Sequence, residues 1–157
     1  MTTENITFAA MFIVSHTLAY TLAGAVILQV SKDIYENKNR LCNFLRDMAD
    51  EKESKHVSKY FLPAQIVRGL LMALAFMPFS GVLAEFGFLK TASLSAAFVF
   101  VFTHLASASP FIDNIEGFVY FKSKYFKTKA FLKFQTEMIF YSILFGLFIA
   151  LSIKHVV

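Results

Sequence analysis

Residues 6 to 30 read ITFAAMFIVSHTLAYTLAGAVILQV, and from Asn5 to Ser31 there is no Asp, Glu, Lys or Arg. At a rise of about 1.5 Å per residue, about 20 apolar residues cross the roughly 30 Å hydrocarbon core of a bilayer. This run therefore reads as a transmembrane helix. A secretory signal would open on positive charge and carry a shorter apolar run. Met1-Thr2-Thr3-Glu4 has no Lys or Arg, so the segment reads as a retained span. Asn5-Ile6-Thr7 matches a glycosylation sequon, but it abuts the span and carries little weight.

The remainder of the chain has the same character. Of 157 residues, 57% are hydrophobic and 20 are Phe, well above a soluble domain. Four crossings leave only modest connectors, which excludes a large extramembrane catalytic domain. The single Cys42 rules out an internal disulfide and a multi-cysteine metal site within one chain. The net charge of +4 sits in short segments beside the apolar runs. Attraction to anionic lipid headgroups explains it better than nucleic acid, and no nucleic-acid partner is expected.

Residues 31–59 form a solvated segment holding Lys32, Lys38, Arg40, Arg46, Lys52, Lys55 and Lys59 among six acidic residues. Ile34, Leu41, Leu45 and Met48 fall at helical spacing, with no Gly or Pro between them, which predicts that the first helix continues as an amphipathic extension. Its apolar stripe needs a cover: the membrane surface, the other large connector or a second copy. Residues 60–84 are the second span, with Pro63 expected in its first turn and Pro78 as a kink. A tight turn through Gly87 leads to the third span, 91–109, and the pair reads as an antiparallel hairpin. Residues 110–130 interleave Lys122, Lys124, Lys127 and Lys129 with Phe and Tyr, the composition of a headgroup-contacting segment. Residues 131–153 are the fourth span, with Lys154 at its outer end.

Outside the spans, the first and third connectors carry eleven Lys and Arg, against Lys90 and Lys154 for the opposite side. The positive-inside rule then puts both large connectors in the cytoplasm and both termini outside, in a bacterial inner membrane or its equivalent.

Ionisable groups within spans are costly and mark function by default. His16, Arg68, His104 and Glu137 qualify. Arg68 lies roughly 12 Å, Glu137 roughly 9 Å and His104 roughly 8 Å from the cytoplasmic ends of their helices, so the three share one layer. Gln65 and Tyr141 lie one turn from Arg68 and Glu137 on the same faces. The sharpest expectation is an Arg68–Glu137 ion pair. It would lock two helices or handle a proton or substrate; otherwise Arg68 snorkels to the interface and Glu137 pairs with Lys133. His16 is expected at mid-membrane, about 13 Å from the depth of His104. That offset argues against a shared haem iron, and no metal or cofactor is expected. His16 and Tyr20 read as interhelical hydrogen-bonding groups.

Small residues recur every fourth position at Ser142, Gly146 and Ala150, at Gly69 and Ala73, and at Ala19 and Ala23, marking close helix approach. Glu137 lies about 140° around the fourth helix from Ser142, which gives a peripheral helix two interfaces and suggests oligomers or a partner subunit. No motif of known hydrolytic, nucleotide or metal chemistry occurs.

The expected fold is an all-α integral membrane four-helix bundle with an extended first helix. The leading expected function is an oligomeric or accessory subunit of a larger membrane complex in a pore, transport or scaffold role. The rival is an intramembrane enzyme or redox subunit acting on a lipid-like or quinone-like substrate through Arg68, His104 and Glu137.

Overall fold

The computed structural model describes residues 3–153, and the position expected for Lys154 lies outside them. The described chain is all-helical: α1 (Thr3–Val30), α2 (Lys32–Tyr35), α3 (Glu51–Phe76), α4 (Ser80–Glu85), α5 (Phe88–Phe100), α6 (Ile115–Tyr120) and α7 (Thr128–Ile153). A 3-10 turn, Met77–Phe79, joins α3 to α4, and α5 ends in a π turn, Val101–Leu105. Four stretches are long and apolar enough to cross a membrane: Thr3–Val30, Glu51–Glu85, Phe88–Leu105 and Thr128–Ile153.

The helix order in space differs from the expectation of a peripheral fourth helix. α7 lies between α1 and α5, and α3 packs on α1. Half of α7's most apolar stretch is buried, against 22% for the second span, as suits a central helix. The small residues make this possible. A methyl group on Gly146 would lie 2.2 Å from the Ala92 carbonyl oxygen of α5, and one on Gly69 would lie 3.0 Å from the Ile13 Cα of α1. Ser142, Ala150 and Ala73 are also buried. These seams are filled by the chain's own helices, which removes the motive for reading them as contacts between copies. Below them Phe12 meets Phe145 at 5.0 Å and Phe76 at 5.2 Å between ring centroids, joining α1, α7 and α3. Such pairs add about 0.5–1.5 kcal/mol beyond burial.

The polar helical extension belongs to the second span, not the first. α1 stops at Val30, and after one turn of α2 the backbone becomes extended at Glu36 and enters the left-handed region at Asn37, with φ 77°. The Arg40 guanidinium gathers the carbonyls of Asn37, Asn43 and Leu45 and the Asp47 carboxylate, holding residues 37–47 as a compact loop. Helix resumes at the N-cap Asp50, whose side chain accepts from the Glu53 amide at 2.9 Å, while the Glu53 carboxylate reaches past it to accept from the Asp47 amide. Pro63 consequently lies three turns inside α3 rather than in its first turn. Pro78 does break the helix, through the 3-10 turn.

The apolar residues of this loop find their cover in the other connector. Ile34 and Cys42 pack with Ile112, Ala130 and Phe134, and Leu41, Leu45 and Phe121 surround them. Lys129 and Lys133 of α7 both bridge to Asp33, at 2.7 and 2.6 Å. The two connectors thus form one cap over the end of the bundle.

At the opposite end a turn joins α4 to α5, pinned where the buried Thr91 hydroxyl donates to the Leu83 carbonyl at 3.0 Å, but the second and third spans do not pack as the expected hairpin: α5 lies chiefly on α7 and α3 on α1. Gly87 has φ −66° and exercises no glycine-specific freedom there.

Candidate functional site

Beneath the connector cap lies a polar cavity of about 450 Å³, walled by Tyr20, Tyr35, Arg68, His104, Asp113 and Glu137 among others. Each long helix supplies part of it: α1 gives Tyr20, α3 Arg68, the π turn after α5 Thr103 and His104, and α7 Glu137. The extra residue of a π turn widens the helix and re-aims its side chains, and such turns concentrate at functional sites. Here it directs His104 inward, so that the ring is buried.

Arg68 and Glu137 both face the cavity, yet no ion pair joins them among the described residues. The expected pairing is replaced by separate partners. The guanidinium of Arg68 lies over the Tyr20 ring, 5.6 Å from its centroid. Glu137 accepts a hydrogen bond from the Tyr35 hydroxyl at 3.0 Å. Lys133, the other partner considered for Glu137, is engaged with Asp33 and the Val30 carbonyl.

His104 has a partner that its own span does not contain. Its Nδ1 lies 3.4 Å from Asp113 Oδ2, while its Nε2 is buried with no hydrogen-bond partner. The connector residue Asp113 reaches this depth because the chain folds back after the π turn. Asn114 fixes that reversal: its side-chain oxygen accepts from the amides of Phe111 and Gly117 at 3.1 and 2.8 Å, and its amide donates to the Ser109 carbonyl at 2.6 Å. Gly117 is required at this crossing, since a Cβ there would fall 1.6 Å from the Phe111 carbonyl oxygen. Gln135 of α7 donates to the Asp113 carbonyl at 2.6 Å and holds the loop down.

A second polar cluster sits deeper, beside the cavity. Tyr141 OH lies 2.7 Å from His16 Nδ1, and His16 Nε2 lies 3.1 Å from Gln65 Oε1. In the neutral tautomer that matches these partners, Tyr141 donates to His16 and His16 donates to Gln65. The cluster joins α7, α1 and α3, so α1 contributes more to the polar layer than its sequence implied. The rings of His16 and His104 pack edge-on against Tyr141, at 5.6 and 5.8 Å. The two imidazoles therefore flank one tyrosine, closer than the depth count along straight helices suggested. Among the described residues no group of three His, Cys, Asp or Glu is placed to hold a metal ion.

The connector lysines divide. Lys122, Lys124 and Lys127 are exposed, and Lys124 lies over the Tyr125 ring at 4.7 Å, whereas Lys129 bridges to Asp33. On α6 the apolar Ile115, Phe118, Val119 and Tyr120 are exposed beside them.

Outside the spans, the titrations of Asp33, Tyr35, Cys42 and Asp47 are displaced. Hydrogen bonds from Lys129 and Lys133 hold the Asp33 carboxyl below its ordinary value. Burial raises the Cys42 thiol to about 11.

Sequence reasoning found Arg68, His104, Glu137 and Tyr20 but missed Tyr35, Asp113 and Thr103. Pro110 and the helix-capping Asn114 were the available signal that the chain turns back there. In comparisons with known proteins, the chain matches no family model, no curated protein and no solved structure.

Proposed function

We propose that this chain is a four-span integral membrane protein that binds the polar head of a membrane amphiphile in the cavity under the connector cap. The observation that carries the reading is that Arg68 and Glu137 line one cavity without pairing with each other. Charged groups at such depth are costly unless they find partners, and the Tyr20 ring and the Tyr35 hydroxyl satisfy each of them only in part, so a ligand completing both would account for their presence. The lining is of mixed charge, one guanidinium with two carboxylates and an imidazole. A simple anion would meet Glu137 and Asp113 as well as Arg68. A head that carries an acceptor for Arg68 and a donor for Glu137, as an aminophospholipid's phosphate and ammonium do, suits the set better.

On the positive-inside rule the connector end is cytoplasmic, so the cavity faces the cytoplasmic leaflet. Lys122, Lys124 and Lys127, with the exposed apolar residues of α6, then rest among anionic headgroups. Chemistry on the bound head is a second reading, favoured by the unpartnered Nε2 of His104 at the cavity wall, with Asp113 orienting the ring. Its mark would be a quinone-like absorbing ligand that purifies with the wild type and is lost in His104→Ala. An oligomeric or accessory-subunit role has no feature of similar weight once the small-residue seams are assigned within the bundle.

The test is thermal unfolding in a neutral detergent with phosphatidylethanolamine or phosphatidylcholine of the same chains added. A ligand at a hundred times its Kd stabilises by about 2.7 kcal/mol. Phosphatidylethanolamine should raise the midpoint more than phosphatidylcholine, and the difference should vanish in Arg68→Gln and Glu137→Gln. Equal shifts in all three proteins would refute the reading.

A further inference from the structure

Consecutive antiparallel helices normally close on each other, yet between α3 and α5 there is an apolar cleft of about 340 Å³. Its walls are two helical stripes, Met72, Phe76 and Phe79 with Leu83 on one side and Leu94, Phe98 and Phe102 on the other. The stripes touch where Phe76 meets Phe98, with ring centroids 5.7 Å apart, and several wall residues remain exposed.

We propose that the hydrocarbon chain of the bound amphiphile lies in this cleft, an inference that rests on the head-binding reading above. Three observations support it. The cleft and the polar cavity are contiguous: Thr103 lines both, and Arg68 of the cavity lies one turn from Met72 of the cleft. The Thr103 hydroxyl donates to the Val99 carbonyl at 2.6 Å, so it sets no unsatisfied polar group across the junction. Second, the direction is correct, with the polar end under the connector cap and the apolar end running toward the α4–α5 turn. Third, Met72 to Leu83 spans roughly 16 Å along the helix axis. That is about half of a 30 Å hydrocarbon core, the depth one leaflet's chains occupy. The pairing of a polar head site with an apolar cleft open at its side defines the ligand class as a lipid with at least one long, flexible chain, entering laterally.

Two photoreactive phosphatidylethanolamines test the proposal on the full chain, one with a diazirine on the amine head and one with it midway along an acyl chain, with adducts mapped by peptide mass spectrometry. The chain probe should label the segments 72–83 and 94–102 in preference to exposed faces elsewhere, such as those bearing Leu18 and Ile143. Ala75→Trp, at an exposed position in the cleft wall, should lower that labelling severalfold while the head probe still labels residues 103–113. Chain labelling spread evenly over the outer faces, or unchanged in Ala75→Trp while head labelling persists, would overturn the cleft assignment and leave the head site standing. A cleft that resists labelling because a second copy or another helix covers it would overturn the assignment in the same way. Loss of labelling by both probes would remove the head-binding reading itself.

Discussion

Replacing Gly146 by Ala tests the placement of α7 at the centre of the bundle. In an isolated helix the change is favourable, since Gly is about 1 kcal/mol worse than Ala in a helix interior. Here the added methyl would lie 2.2 Å from the Ala92 carbonyl oxygen and 3.0 Å from the Ala96 Cβ. Backbone cannot swing aside as a long side chain can, so α5 and α7 must separate along their shared seam. Overpacking of this kind costs about 1–3 kcal/mol, which outweighs the propensity gain. Gly24 is the internal control, because a methyl there meets nothing within 4 Å. Gly146→Ala should therefore unfold at lower temperature than wild type, and Gly24→Ala at an equal or higher one. Cys42 is a ready reporter: it is fully buried under the connector cap, so a thiol-reactive dye followed against temperature reads the unfolding that exposes it in a protein that has no Trp. If Gly146→Ala proved as stable as Gly24→Ala, α5 and α7 would not be in the contact described.

Three further outcomes follow from the site and its cap. Tyr141→Phe removes the donor to His16 and should lower the unfolding midpoint by an amount corresponding to about 0.6–1.7 kcal/mol, measured with the same dye; an unchanged midpoint would mean that the hydrogen bond contributes nothing. The Asp33 carboxyl has a lowered folded pKa, so its two lysine bridges stabilise fully above the unfolded value and are lost as pH falls through the lowered one. Wild type should lose more stability than Asp33→Asn on acidification, by less than about 1 kcal/mol given the exposure of the pair, and parallel pH profiles would contradict the bridges. Cys42, with its thiol raised to about 11, should resist maleimide at pH 8 in the folded protein and react on unfolding; rapid labelling of the folded chain would mean that the cap is open.

The four helices long and apolar enough to cross a membrane were legible because each is a long, predominantly apolar run, and length plus hydropathy suffice to find such runs. Which helix lies at the centre was not, since a helix that is hydrophobic all round carries no pattern that names its neighbours. The small residues did report close approach, but Gly146 in the sequence cannot say whether it faces the chain's own Ala92 or another copy. The polar helical extension falls on the second span although the spacing pointed to the first, because Ile34, Leu41, Leu45 and Met48 have helical spacing by coincidence. The countervailing signal was present in Asp50 and Glu53, a capping pair three residues apart that starts α3. At the site, depth along a straight helix located Arg68, His104 and Glu137 in one layer, but it cannot register a connector that folds back. Asp113 therefore reads as solvated in the sequence, although it lies against His104.

Native mass spectrometry of the protein released from lipid nanodiscs bears most directly on the central claim, that the cavity between Arg68 and Glu137 holds the head of an amphiphile. The account predicts one retained lipid per chain in the wild type, its head carrying both acceptor and donor groups, and its loss in Arg68→Gln and Glu137→Gln. A wild-type chain that emerges without a retained amphiphile, or one retained equally by all three proteins, would contradict it.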